Sequence, residues 1–325
     1  MRDLLAAACL AVSLAGCSSS SANPAAPAPG DAGADAPAEA AVDHGCVTDT
    51  SPGDHTFTCE GFSVDVHVPD ACASGCGLVL DVHGALETGA IEESHMAIVP
   101  IAKSKGYVVV QPTAHTIAAY GGPYWAVADD DHVLAILDTV ARVFQSDPSR
   151  THMTGFSQGG YMTWRFLCKH ADRFASVAPG GAGLPVCGTT EFFESCAFDA
   201  QTSPSRQIDV LFLAGRQDGV VPYSCMSQER DLAIAAWGLS QSTVVAGDTS
   251  YTRTRYANAQ GTVMETLEHD YTTDPQGLLA ANKGHCYPGS NAHTGTPYDQ
   301  LACVPPNAFA WGAEVMSFFA QHPKK

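Results

Sequence analysis

Gly155-Phe156-Ser157-Gln158-Gly159 is the stretch of this chain with the clearest chemical content. In the pattern G-x-S-x-G a serine sits on a tight turn between a strand and a helix. Side chains at the two glycine positions would collide in that bend, and glycines there leave the hydroxyl exposed. A serine hydroxyl is a weak nucleophile at neutral pH. It needs a histidine to take its proton and a carboxylate to orient that histidine. Both stand later in the chain, in the order serine, acid, base: Asp218 in Gly215-Arg-Gln-Asp-Gly219, and His285 in Gly284-His-Cys-Tyr-Pro-Gly289.

Acyl transfer also requires donors for the oxyanion that forms on the carbonyl. In such turns one donor is the backbone N–H of the residue after the nucleophile, here Gln158. The other comes from the loop after an earlier strand, here the N–H of Ala85 following Asp81-Val-His-Gly84. His83 then shapes the loop and is not the base. His269 is the rival base, because it also follows a late strand, but His285 lies in the glycine- and proline-flanked loop that suits the role.

These groups must be held by elements that the chain can form. An alternating segment from Phe57 to Pro69, broken at Gly61, predicts an antiparallel hairpin. Apolar runs at Gly77–Gly84, Tyr107–Pro112, Arg150–Phe156, Phe174–Pro179 and Ile208–Ala214, with a weaker one at Met264–Leu267, predict buried strands. Helical spacing of Val133, Ile136, Leu137, Val140 and Phe144 predicts a helix opened by Asp129-Asp130-Asp131, whose charges suit a helix start rather than a metal. Further helices are predicted over Tyr161–Leu167 and Phe309–Ala320. Strands alternating with helices imply an α/β class: a mainly parallel central sheet with helices on both faces. Ser157 then falls at a strand-to-helix turn, and Asp218 just past a strand end, where ligand-facing groups gather.

The ends and composition bound the rest. Arg2, the apolar run Leu4–Leu14 and then Leu14-Ala-Gly-Cys17 predict an export signal over 1–16. The run is shorter than the ~20 residues of a membrane span. A cysteine after Leu-Ala-Gly resembles the lipobox of bacterial lipoproteins, with Cys17 as the lipidated residue and Ser18 fitting the outer-membrane sorting pattern. Residues 17–43, rich in Ser, Ala and Pro, read as a disordered tether, and 44–325 as one catalytic domain. Localisation is therefore expected to be exported, lipid-anchored to a bacterial membrane or secreted. The formal net charge of -18, without a basic cluster, disfavours nucleic acid as a partner. Beyond Cys9 and Cys17, ten cysteines remain, for which an oxidising compartment makes disulfides the default. Spacing leaves connectivity open; Cys46–Cys59, Cys72–Cys76, Cys187–Cys196 and Cys286–Cys303 are the local guesses. Zinc at Cys72–Cys76 lacks a second ligand pair.

With these segments placed, the chain resembles the polyhydroxybutyrate depolymerase-type and feruloyl-esterase-type secreted esterases, in the broad sense of carbohydrate esterase family one. The resemblance runs from about Gly77 to Pro288. It rests on Leu-Asp-Val-His-Gly84, Asp-Pro-Ser-Arg150 before Gly-Phe-Ser-Gln-Gly-Gly160, Ala171-Asp-Arg-Phe-Ala-Ser-Val-Ala-Pro179, Gly-Arg-Gln-Asp-Gly-Val-Val-Pro-Tyr223 and Gly-His-Cys-Tyr-Pro-Gly289. It implies the α/β-hydrolase fold, the triad Ser157, Asp218 and His285, and no metal or organic cofactor. Tyr287 stands where many members have tryptophan, and the segments 184–205 and 270–283 look long. Trp125 and Tyr287 are the candidate pocket residues.

The function expected is a serine esterase acting on hydroxyalkanoate oligoesters or on feruloyl or acetyl esters of polysaccharide. A non-catalytic carbohydrate-binding protein on the same fold and a serine peptidase are the other readings.

Overall fold

In the computed structural model, residues 44–71, 75–184, 193–199 and 201–325 are described. The expected signal and tether, Cys17, Cys72 and Cys187 lie outside them. β1 (Gly53–Cys59) and β2 (Phe62–Val68) form the expected hairpin, turning at Glu60-Gly61. The apolar runs then become β3 (Gly77–Val82), β4 (Tyr107–Thr113), β7 (Thr151–Phe156), β8 (Ser176–Gly180), β9 (Asp209–Gly215) and β12 (Val263–His269). Between them β5 (Thr116–Ile117) and β6 (Gly122–Pro123) make a small separate pair. A second hairpin, β10 (Gln241–Gly247) and β11 (Tyr251–Ala257), precedes β12.

The main sheet has the order β1-β2-β4-β3-β7-β8-β9-β12-β11-β10. Its middle, from β4 to β12, is parallel, and each edge is closed by antiparallel strands. Alternate side chains of a strand enter opposite layers. Leu78 and Leu80 pack with Val133, Ile136 and Trp164 on one face, while Val79 packs with Met96, Ile98 and Val315 on the other. Each such valine or leucine, taken wholly out of water, contributes about 1.5–3 kcal/mol. The first face is covered by α3 (Asp130–Val143), α4 (Gln158–His170) and the helix Tyr223–Trp237. The second is covered by α1 (Gly89–Met96), α2 (Ile98–Ser104) and the last helix, Trp311–Gln321. This is the α/β-hydrolase arrangement, with one catalytic-type domain.

The aspartates at 129–131 divide their work. Asp129 accepts the Ala126 N–H at 2.8 Å, as a helix start requires. Asp130 instead grips the buried Arg165 through two hydrogen bonds of 2.7 and 2.8 Å, tying α3 to α4.

Disulfides join Cys46 to Cys59 and Cys286 to Cys303 as guessed. Cys76 is also disulfide-bonded. Cys196 departs from the guess: it pairs with Cys168 at the end of α4, across 28 residues rather than with Cys187. The physical reason is tertiary. Folding carries 193–199 back onto α4, where the Arg165 guanidinium also donates to the Glu194 carbonyl at 3.1 Å. Cys225 is a buried free thiol. Disulfides of this kind form in oxidising compartments, which accords with export.

Candidate active site

β7 ends at Phe156 and α4 begins at Gln158, so one residue, Ser157, makes the whole connection. Its backbone is at φ 53° and ψ -117°, a region that L residues rarely occupy and one costing roughly 1–3 kcal/mol. The surroundings hold it there. Ser157 donates its N–H to the Gly180 carbonyl at 2.9 Å, and its own carbonyl accepts the Tyr161 N–H at 3.0 Å to start the helix. The flanking glycines are steric necessities. A Cβ on Gly155 would lie 2.5 Å from the Val82 carbonyl oxygen, and one on Gly159 would lie 1.9 Å from it. Even Gly160, beyond the pattern, has the Gly180 carbonyl oxygen 2.3 Å from where a Cβ would be.

Asp218 lies in the turn after β9, and His285 in a loop laced to that turn. Asp218 and Lys283 form an antiparallel bridge, and Gly219 N–H donates to the Asn282 carbonyl at 3.0 Å. His285 Nδ1 meets Asp218 Oδ2 at 2.7 Å. The other carboxyl oxygen, Oδ1, accepts the N–H groups of Val220 and Val221 at 2.8 and 2.7 Å. The Asp218 side chain is wholly buried and that of His285 is 4% exposed, so water does not compete for the pair. With Nδ1 donating to the acid, Nε2 is the nitrogen left to accept a proton. The ring rests on Phe156, centroids 4.9 Å apart.

Ser157 and His285 line one pocket of about 280 Å³, together with Ala85. Its other walls are mostly apolar, with Leu86, Val220, Leu279 and Leu301 prominent beside Glu87 and Asn282. As the first residue of α4, Gln158 has a backbone N–H with no intrahelical acceptor. The positive end of the helix dipole lies there too. The Gln158 side chain is engaged elsewhere: Oε1 accepts the Trp125 N–H at 3.0 Å and Nε2 donates to the Trp125 carbonyl at 2.9 Å. The Trp125 indole N–H in turn donates to the His83 carbonyl at 3.0 Å. His83 completes the loop. Its Nδ1 lies 2.6 Å from the Gly84 carbonyl and so carries the proton, while Nε2 accepts the Ala114 N–H at 2.9 Å. Burial pushes this imidazole down to about 4, keeping it neutral.

Trp125 and Tyr287 do not line the pocket. Trp125 has 0% exposure and packs in the core against Phe62 and His83. Two of its hydrogen bonds hold Gln158 and one holds the His83 carbonyl in the loop before Ala85, so it braces the site from behind. Tyr287 is likewise at 0% exposure, beneath the pocket, stacked on His95 and against Phe156. Its hydroxyl donates to Glu92 at 2.7 Å. His269 ends β12 against Tyr271 and is buried to 1% exposure, and burial pushes it down to about 4.

Glu87 is the residue that sequence reasoning missed. It lines the pocket at 1% exposure, and its Oε2 accepts the Gly84 N–H at 2.9 Å. The available signal was its position, two residues after Ala85 in a loop that must be rigid. Among the described residues, no group of His, Cys, Asp or Glu is arranged to hold a metal ion.

No family model matches the chain. Over 169 residues, half of this chain and 23% of the relative, it is 27% identical to the bifunctional acetylxylan esterase/xylanase XynS20E of Neocallimastix patriciarum. Over 100 residues, 31% of this chain and 26% of the relative, it is 31% identical to NocK of Nocardia uniformis subsp. tsuyamanensis, assigned as an esterase. The matches thus span about a quarter of the length of these curated relatives. Among solved structures, an acetyl xylan esterase from Aspergillus awamori superposes with a TM-score of 0.53 at 17% identity, covering 67% of this chain and 94% of that one. The likeness is one of fold.

Proposed function

We propose that the chain is an exported serine esterase in which Ser157, His285 and Asp218 form a catalytic triad. The observation that carries this reading is the buried Asp218–His285 pair, opening onto the same pocket as a serine held in a strained turn. Ser157 Oγ attacks the ester carbonyl carbon while its proton passes to His285 Nε2. Asp218 holds the ring and the positive charge it gains. The N–H groups of Gln158 and Ala85 receive the oxyanion. The C–O bond to the alcohol then breaks, and the alcohol leaves with the proton from His285. Water repeats the sequence on the acyl-enzyme and frees Ser157.

Short acyl esters are the substrates this pocket suits. Its walls are mostly apolar, and its ~280 Å³ takes an acetyl or hydroxybutyryl group rather than a long chain. Two relatives named for acetylxylan esterase activity favour acetyl esters of polysaccharide over hydroxyalkanoate or feruloyl esters. Export is proposed to end in lipid attachment at Cys17, with the 17–43 segment as tether.

The test is a panel of acetylated xylan, methyl ferulate, hydroxybutyrate oligomers and peptide anilides on wild type and Ser157→Ala. Acetyl release lost in the variant supports the reading. Turnover that survives Ser157→Ala, or turnover confined to the anilides, contradicts it.

A further inference from the structure

Three buried carboxyls, Asp81, Glu87 and Glu92, lie under the loop that carries Ala85, and the triad uses none of them. Glu87 is the member that reaches the pocket. A Cβ on Gly84 would stand 2.7 Å from Glu87 Oε2 and 3.4 Å from Ser157 Cβ, so glycine, carboxyl and nucleophile are stacked in contact. On the far side of Ala85, the Leu86 N–H is fixed to the Pro123 carbonyl at 2.8 Å. The Gly84 N–H donates to Glu87 Oε2 at 2.9 Å, while the Gly84 carbonyl accepts His83 Nδ1 at 2.6 Å and the Glu87 N–H at 3.2 Å. The second oxygen, Oε1, is buried and has no hydrogen-bond partner among the described residues.

We propose that Glu87 is the positioning residue of the oxyanion loop, its carboxyl fixing the Gly84 N–H and its own N–H the Gly84 carbonyl, so that the Ala85 N–H of that next peptide faces the pocket. The proposal rests on the serine-esterase reading and adds a requirement to it. An anionic carboxylate this close would oppose an oxyanion forming on the same loop, whereas a neutral carboxyl accepts the Gly84 N–H without that penalty. Burial favours the neutral form of Glu87, against the Gly84 N–H, the Tyr287 hydroxyl, His285 and Glu92, each of which favours the anion. Burial pushes it up to about 7, and Asp81 to about 8, with Glu92 raised well above the usual carboxylate range. The groups facing Glu87 are Glu92 from α1, Asp81 from β3, and His285, Tyr287 and Tyr298 from the loops beyond β12. Of these, His285 when charged and the Tyr287 hydroxyl, 3.3 Å from Glu87 Oε2 and 2.7 Å from Glu92 Oε2, oppose the shift.

Glu87→Gln keeps an acceptor for Gly84 and removes the ionisation; Glu87→Ala removes both. Near pH 6 the Gln variant should retain kcat within about threefold of wild type, and the Ala variant should lose roughly 10- to 100-fold in kcat with KM within about twofold. Wild-type kcat should fall as pH rises through about 7, and the Gln variant should lack that fall. Hydrogen exchange at the Gly84 amide, read without any turnover, should be slow in wild type and Gln and fast in Ala. That measurement separates this proposal from the esterase reading, which Ser157→Ala tests. Slow Gly84 exchange in the Ala variant, or an alkaline fall that persists in Gln, overturns it; should the Ala variant fail to fold, the Gln pH profile decides.

Discussion

His285 Nδ1 lies 2.7 Å from Asp218 Oδ2 while Asp218 Oδ1 is held by the N–H groups of Val220 and Val221. The acid is therefore fixed in rotation by its own turn before it meets the histidine. Asp218→Asn keeps that geometry, since the amide oxygen can take the two N–H groups. Its NH₂ then faces Nδ1 and forces the tautomer that protonates Nε2, the nitrogen proposed as base. A loss of about 10⁴-fold in kcat is expected with little change in Tm. Initial rates on a p-nitrophenyl ester, beside a thermal melt, check it.

Gly159 is where the elbow is most sensitive. A methyl group there would sit 1.9 Å from the Val82 carbonyl oxygen, which belongs to a central strand and cannot retreat. Gly159→Ala should destabilise by more than about 3 kcal/mol or prevent folding. Urea unfolding against wild type reads the difference; a variant of native stability would show that the turn can open.

The clamp between Gln158 and Trp125 predicts a coupled loss. Gln158→Ala leaves the Trp125 N–H and carbonyl unpartnered by it in a buried place, a cost of about 1–3 kcal/mol. Activity should fall with stability, because the residue whose backbone N–H is proposed to receive the oxyanion loses its anchor. Stability from urea unfolding and kcat from ester hydrolysis should therefore decline together.

Glu229 supplies a pH test of the fold away from the pocket. It is buried, accepts the Cys196 N–H at 3.0 Å and the Ser195 hydroxyl, and burial pushes it up to about 8. A carboxyl raised on folding contributes stability that is full below its unfolded value near 4.5 and is lost as pH rises through about 8. Unfolding free energy, measured from about pH 5 to 8, should thus fall more steeply in wild type than in Glu229→Gln, by on the order of a few kcal/mol. Parallel pH dependences would place the Glu229 proton elsewhere.

Much of this architecture is legible in the chain because it depends on local pattern. Continuous apolar runs gave β3, β4, β7, β8 and β9 to within two residues at each end, and glycine spacing marked the turn at Ser157. β10 was illegible because all seven of its residues are exposed, so no alternation of apolar side chains marks it. α1 was hidden by its buried Glu92 and His95, which break an apolar face. Trp125 and Tyr287 show the same limit at the site. An aromatic side chain near a pocket reads alike whether it forms the wall or the core behind it, and tertiary packing alone decides. The Cys168–Cys196 disulfide depends on a chain return that spacing does not reveal.

The central claim is that Ser157 is the nucleophile, and covalent labelling tests it most directly. Wild type, His285→Ala and Ser157→Ala would each be treated with a fluorophosphonate and digested, and the adduct located by mass spectrometry. The account predicts one adduct, on Ser157, in wild type, strongly reduced in His285→Ala and absent in Ser157→Ala. An adduct on another residue of wild type, or labelling of Ser157 that does not depend on His285, would contradict it.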